Sequence, residues 1–186
     1  MFRNLWGYHG VSHSQICLVL TFFTLLLIGN TYAQHRHSPY AGQEKQEIKS
    51  LSEADVEGYL TGQGMGFGKA AELNHYPGPR HVLDMADQLD LSSEQVSKIQ
   101  GIYDRMHEQA VEYGEEILQQ EQALDQLFDS QKISRKQMET ATSEIANLQG
   151  KLRLVHLQAH LETKQVMTQK QVKMYDQLRG YQNSFK

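Results

Sequence analysis

The sequence predicts an all-α fold: one long antiparallel helical hairpin with shorter flanking helices. A six-residue phrase (apolar residue, Ser or Thr, two residues, Gln, apolar residue) recurs at LSSEQV (91–96), ISRKQM (133–138) and MTQKQV (167–172). The first two copies each open a long stretch in which apolar residues return every three or four positions, the period of a helix with one buried face. β-branched runs are few, and the 186 residues include only three prolines.

The phrase is a helix start. A hydroxyl at the N-cap accepts from the N3 amide, and the N3 Gln reaches back to the cap's own N–H. Ser92 with Gln95, Ser134 with Gln137 and Thr168 with Gln171 are the three expected capping pairs. The flanking apolar pairs, Leu91 with Val96, Ile133 with Met138 and Met167 with Val172, form hydrophobic staples. LSEADV (51–56) reads as a fourth start, with Asp55 in the place of Gln.

On the first arm Val96, Ile99, Tyr103, Met106, Ala110, Tyr113, Ile117, Leu124 and Leu127 form the seam; on the second, Met138, Ala141, Ile145, Leu148, Leu152, Val155, Ala159 and Val166. Each arm should be roughly 50 Å long. The connection through residues 129–132 is short, which makes the arms antiparallel neighbours. Residues 93–131 carry two basic and nine acidic side chains, a net of −7, while residues 132–186 carry ten and four, a net of +6. An acidic arm against a basic one is favourable, although each exposed pair contributes only ~0–1 kcal/mol.

Residues 1–33 have the form of a cleaved signal peptide: Arg3, an apolar run from Ile16 to Ile28, then Thr31-Tyr32-Ala33. The run is too short to span a bilayer. The mature chain is therefore expected to be exported to an oxidising compartment, with no transmembrane segment. It would hold about 153 residues and no cysteine, since Cys17 is removed. Export without a disulfide framework follows, and thiolate chemistry is excluded. A mature net charge of −5 makes nucleic acid an unlikely partner. Residues 34–50 lack apolar periodicity and read as a flexible leader, residues 51–182 as a single helical domain, and 183–186 as a tail.

TGQGMGFGKAAEL (61–73) superficially resembles a phosphate loop, but Gln63 and Ala70 stand where that motif needs Gly and a hydroxyl. Gly58, Gly62, Gly66 and Ala70 fall four apart and predict a weak helix with a smooth face for close approach. NHYPGP (74–79) breaks it, and Pro79 opens a short helix to about Leu89 that buries Val82, Met85, Ala86 and Leu89. The last helix runs from Gln169 to a C′ glycine, Gly180.

No nucleophile elbow, HExxH motif, carboxylate pair or cofactor loop occurs, so no enzymatic activity and no required cofactor are expected. His156 and His160 lie four apart on the second arm, a spacing that suits two imidazoles on one metal. Facing positions of the hairpin sum to about 263, which places His107 opposite His156. With Asp104 one turn away, His107, His156 and His160 are candidate ligands for Zn²⁺ or Cu²⁺. Arg153 and Lys164 nearby count against a preformed cation site. Leu154, Leu157 and Leu161 form a second apolar face, separate from the seam, that short helices, a second subunit or a client must cover.

LSSEQ and MTQKQ resemble the paired LTxxQ motifs of the Spy/CpxP family of periplasmic stress proteins, whose relatives include heavy-metal-resistance proteins and metal sensors. The resemblance spans roughly residues 51–181. YPGPRHVLDMADQLDLSSEQ (76–95), HLQAHLETKQVMTQKQ (156–171) and LRGY (178–181) are similar to segments of bacterial members. Ser92 stands for Thr, Met167 stands for Leu, and Pro is absent after either cap. The family implies a homodimeric, ATP-independent chaperone that binds exposed apolar segments of unfolded envelope proteins, or reports to an envelope-stress sensor. The alternative it implies is a periplasmic Zn- or Cu-binding sensor or resistance protein.

Overall fold

The computed structural model describes residues 38–181; the expected signal peptide and the tail lie outside the described residues. Six α-helices follow in order: α1 (Glu53–Leu60), α2 (Lys69–Glu72), α3 (Pro79–Asp84), α4 (Ser93–Asp129), α5 (Arg135–Val166) and α6 (Gln169–Leu178). No strand occurs among the described residues. α4 and α5 are the arms of an antiparallel hairpin, turning through residues 130–134 with Gln131 at positive φ.

All four expected capping motifs form. Ser52, Ser92, Ser134 and Thr168 accept from the N3 amides, and Asp55, Gln95, Gln137 and Gln171 accept from the cap N–H groups. At the open end of the hairpin two of these motifs also bind one another. Gln95 Nε2 donates to Gln171 Oε1 at 2.9 Å, and Gln171 Nε2 donates to Gln95 Oε1 at 3.1 Å.

The glycine-rich stretch departs from expectation. α1 stops at Leu60, because Gly62, Met65 and Gly66 all take positive φ, which a right-handed helix cannot accommodate. The smooth helical face is thus replaced by a strap of turns at 61–68. Close approach does occur, but on α4: Gly114 lies under the Tyr59 backbone, where a Cβ would collide with it. α3 is also shorter than expected. It ends at Asp84, and turns carry the chain on to Leu89, which is buried with Val82 while Met85 and Ala86 are half-buried.

Among the described residues three apolar clusters form the core. Val82, Leu89, Ile99, Met167, Val172 and Tyr175 close the open end. Ile102, Met106 and Ala159 come next, followed by Tyr59, Ala110, Ile117, Leu118, Leu148 and Leu152. Nearer the turn, the expected seam residues Leu124 and Leu127 are only half-buried and Met138 is exposed.

Two expectations about charge and the leader are corrected. The single ion pair between the arms among the described residues is Arg105–Glu162, at 2.9 Å. It joins a base of the acidic arm to an acid of the basic arm, the reverse of the expected polarity. Part of the α4 charge is met instead by residues placed in the flexible leader. Lys49 Nζ lies 2.6 Å from Asp125, Ser50 Oγ donates to Glu121 at 2.8 Å, and Gln122 donates to Glu47 at 3.1 Å. Ile48 and Leu51 pack on the adjoining cluster, so ordered structure begins before residue 51.

Candidate functional site

Two features of the hairpin are candidates: a cavity under the strap, and the bare outer face of α5.

The cavity, of about 320 Å³, is bounded by the strap at Thr61–Gly64, the start of α3, Tyr103 to His107 on α4, and His156 and His160 on α5. Four of the five histidines among the described residues line it: His81, His107, His156 and His160. His156 is 3 % exposed. Its ring stacks on Phe67 of the strap, with centroids 5.8 Å apart and planes 12° from parallel. Nε2 is buried without a partner. Burial, then the neighbouring His160, pushes this imidazole down to about 4, because a charge there has no water to solvate it.

His160 is clamped by main chain. Its Nδ1–H donates to the Tyr76 carbonyl at 2.7 Å, and the same nitrogen lies 3.6 Å from the Glu72 carboxylate. The ring is wedged between Gly68 and Gly78; a Cβ at Gly78 would stand 2.9 Å from Cε1. His107 donates through Nε2 to the Thr61 carbonyl at 3.1 Å and leans on Tyr103. His81 is lowered by burial and then by Arg179.

Of the expected metal ligands, His107, His156 and His160 line one cavity, and Asp104 is not among its walls. Among the described residues no three His, Cys, Asp or Glu side chains come together as a metal site. His107 and His160 each spend a ring nitrogen on a different backbone carbonyl, and Asp104 accepts from Gln100 along α4 at 2.7 Å. The four residues form no assembled Zn²⁺ or Cu²⁺ centre among the described residues.

Behind the cavity lies a staple that sequence reasoning missed. Glu72, 9 % exposed, accepts from Tyr175 Oη at 2.5 Å, Tyr181 Oη at 3.0 Å and the Gly78 amide at 3.1 Å. Arg179 Nε lies 3.4 Å from the same carboxylate. His75 pairs with the buried Asp176 at 2.8 Å. Burial and the Glu72 hydrogen bond together raise the Tyr175 phenol. These contacts tie the α2–α3 segment to α6. In the sequence, Glu72 within KAAEL looks like any solvated helix residue, and no local pattern marks it.

On the outer face of α5, Leu154 is 61 % and Leu161 48 % exposed. They lie seven residues apart, two turns along one side of the helix. Leu157, expected beside them, is half-buried. The short helices pack on the other side of the hairpin and leave these two leucines uncovered.

No helix among the described residues is long and apolar enough to cross a membrane. No protein-family model, curated protein or solved structure matches the chain.

Proposed function

We propose that this chain is an ATP-independent chaperone of the cell envelope, acting in the periplasm as a homodimer and holding exposed apolar segments of unfolded envelope proteins. The observation that carries this reading is the uncovered Leu154 and Leu161 pair on the outer face of α5. Exposed Gln158 between them and Arg153 beside Leu154 surround the pair with polar groups, so apolar segments would be held weakly and released without an energy source. Burial of one leucine side chain against a client contributes on the order of 2 kcal/mol, enough for several weak contacts to capture a chain and too little to trap it. The resemblance to the Spy/CpxP motifs supports the same reading independently.

The test is suppression of aggregation of a chemically denatured protein at stoichiometric ratio, without nucleotide. The natural chain should suppress it. The Leu154→Glu, Leu161→Glu double variant should not, while keeping its helicity. Failure of the natural chain, or undiminished suppression by the double variant, would overturn the proposal.

A further inference from the structure

All five histidines among the described residues sit where one segment, residues 61–81, meets the helices it covers. His107 donates to the Thr61 carbonyl, His156 stacks on Phe67, His160 is wedged against Gly68, and His75 pairs with Asp176 of α6. His81 lies in the cavity wall. Within this segment the strap at 61–68 is held differently from its flanks. Before it, the Tyr59 backbone is seated on Gly114. After it, Glu72 is fastened to Tyr175 and Tyr181. The strap itself, TGQGMGFG, has no charged side chain. It meets the hairpin at imidazoles: Gly62 against His107, Phe67 on His156 and Gly68 against His160.

A proton acts differently along this segment. His160 lies 3.6 Å from Glu72, and His75 lies 2.8 Å from Asp176, so acid tightens both of those junctions. Among the described residues no carboxylate favours a proton on His156. The charged and titratable groups that line the cavity with it are His160 on its own helix, Tyr103 and His107 on α4, and Arg80 and His81 at the start of α3; the strap supplies none. Burial, then His160, acts against a charge on its ring, and reaching water relieves both. Phe67, stacked on that ring, is the strap residue that covers it. Phe67 also packs on the cluster that holds Tyr59, Ala110 and Leu152.

We propose that the strap is an acid-released flap: a proton on His156 lifts Phe67 from the hairpin, opens the cavity and bares the adjoining face of that cluster, while Tyr59 and Glu72 keep both ends docked. Under the closed flap the ring takes its proton only near about 4, and in water near 6.5. Between those values the open form binds the extra proton, so opening should rise roughly fiftyfold from pH 7 to pH 4.5.

The test uses the full mature chain with EDTA present, so that no metal ion competes for the rings. Amide exchange, corrected for its intrinsic pH dependence, should show residues 61–68 losing protection by that factor while residues 71–78 and the hairpin keep theirs. His156→Leu should abolish the loss. Phe67→Ala, which removes the cover and leaves the ring in place, should bring the His156 resonance to titrate near 6.5 instead of about 4. Equal loss across residues 61–78, an undiminished loss in His156→Leu, a natural His156 ring titrating near 6.5, or a ring still low in Phe67→Ala would each overturn the proposal.

Discussion

Gln95 and Gln171 are hydrogen-bonded to one another through both of their amides. Each carboxamide oxygen also accepts from its own N-cap, Ser92 or Thr168. The remaining amide hydrogens go to main chain: Gln95 to the Val166 carbonyl at 2.9 Å and Gln171 to the Asp90 carbonyl at 3.3 Å. Val166 and Asp90 each lie two residues before the other motif's cap, so the pair has local twofold symmetry. Two helix starts far apart in the chain are made into one polar unit with every donor used.

Replacing either glutamine by Ala should cost about 1–2 kcal/mol, since a cap bond and the cross-chain bonds go together. The double variant should cost less than the sum of the two, leaving a coupling of about 0.5–1.5 kcal/mol. Urea unfolding of the four proteins measures it. Strict additivity would show that the motifs cap their helices independently.

Two glycines in the long helices should respond in opposite directions. Gly114→Ala places a methyl against the Tyr59 backbone and should destabilise by about 1–3 kcal/mol. Gly150→Ala meets nothing within 4 Å and should stabilise by about 0.5–1 kcal/mol through helix propensity alone. Thermal midpoints of the two variants decide the point.

His156 makes stability depend on acid. The unfolded ring takes its proton near 6.5 and the native ring only near about 4. Between those values the unfolded state binds the extra proton. Stability is therefore complete above pH 6.5, declines as the pH falls through this window, and levels off below about 4. The loss from this ring is at most on the order of 3 kcal/mol. His156→Leu should flatten that part of the profile, read as the difference between the two proteins' urea midpoints at pH 7 and pH 4.5.

Glu72→Gln keeps the shape of the side chain but removes the charge that Tyr175, Tyr181 and Arg179 converge on. A loss of about 2–3 kcal/mol is expected, because hydrogen bonds to a charged acceptor are the strong ones. Hydrogen exchange should show residues 71–78 losing protection before the hairpin does.

What the sequence made legible follows the range of the interactions. The capping pairs act over three residues, so Ser92 with Gln95 and Thr168 with Gln171 stood out before any fold was known. The seam was legible for the same reason, as a short period repeated many times. Gly62 and Gly66 misled because spacing does not report the sign of φ. His156 and Thr163, polar residues on the buried side of α5, break the apolar pattern; Phe67, from a strap more than eighty residues away, covers His156. His107, His156 and His160 line one cavity, but the ring nitrogens of His107 and His160 answer to the Thr61 and Tyr76 carbonyls, which carry no signature in the one-dimensional text. Glu72 was invisible because all its partners are remote.

The glutamine pair has one more consequence. It fastens the arms where the chain enters and leaves them, while among the described residues no buried cluster lies at the far turn. Cohesion should then not depend on covalent continuity at Gln131. A protein nicked there should remain one particle, and a circular permutant with its new ends at that turn should refold to the same hairpin.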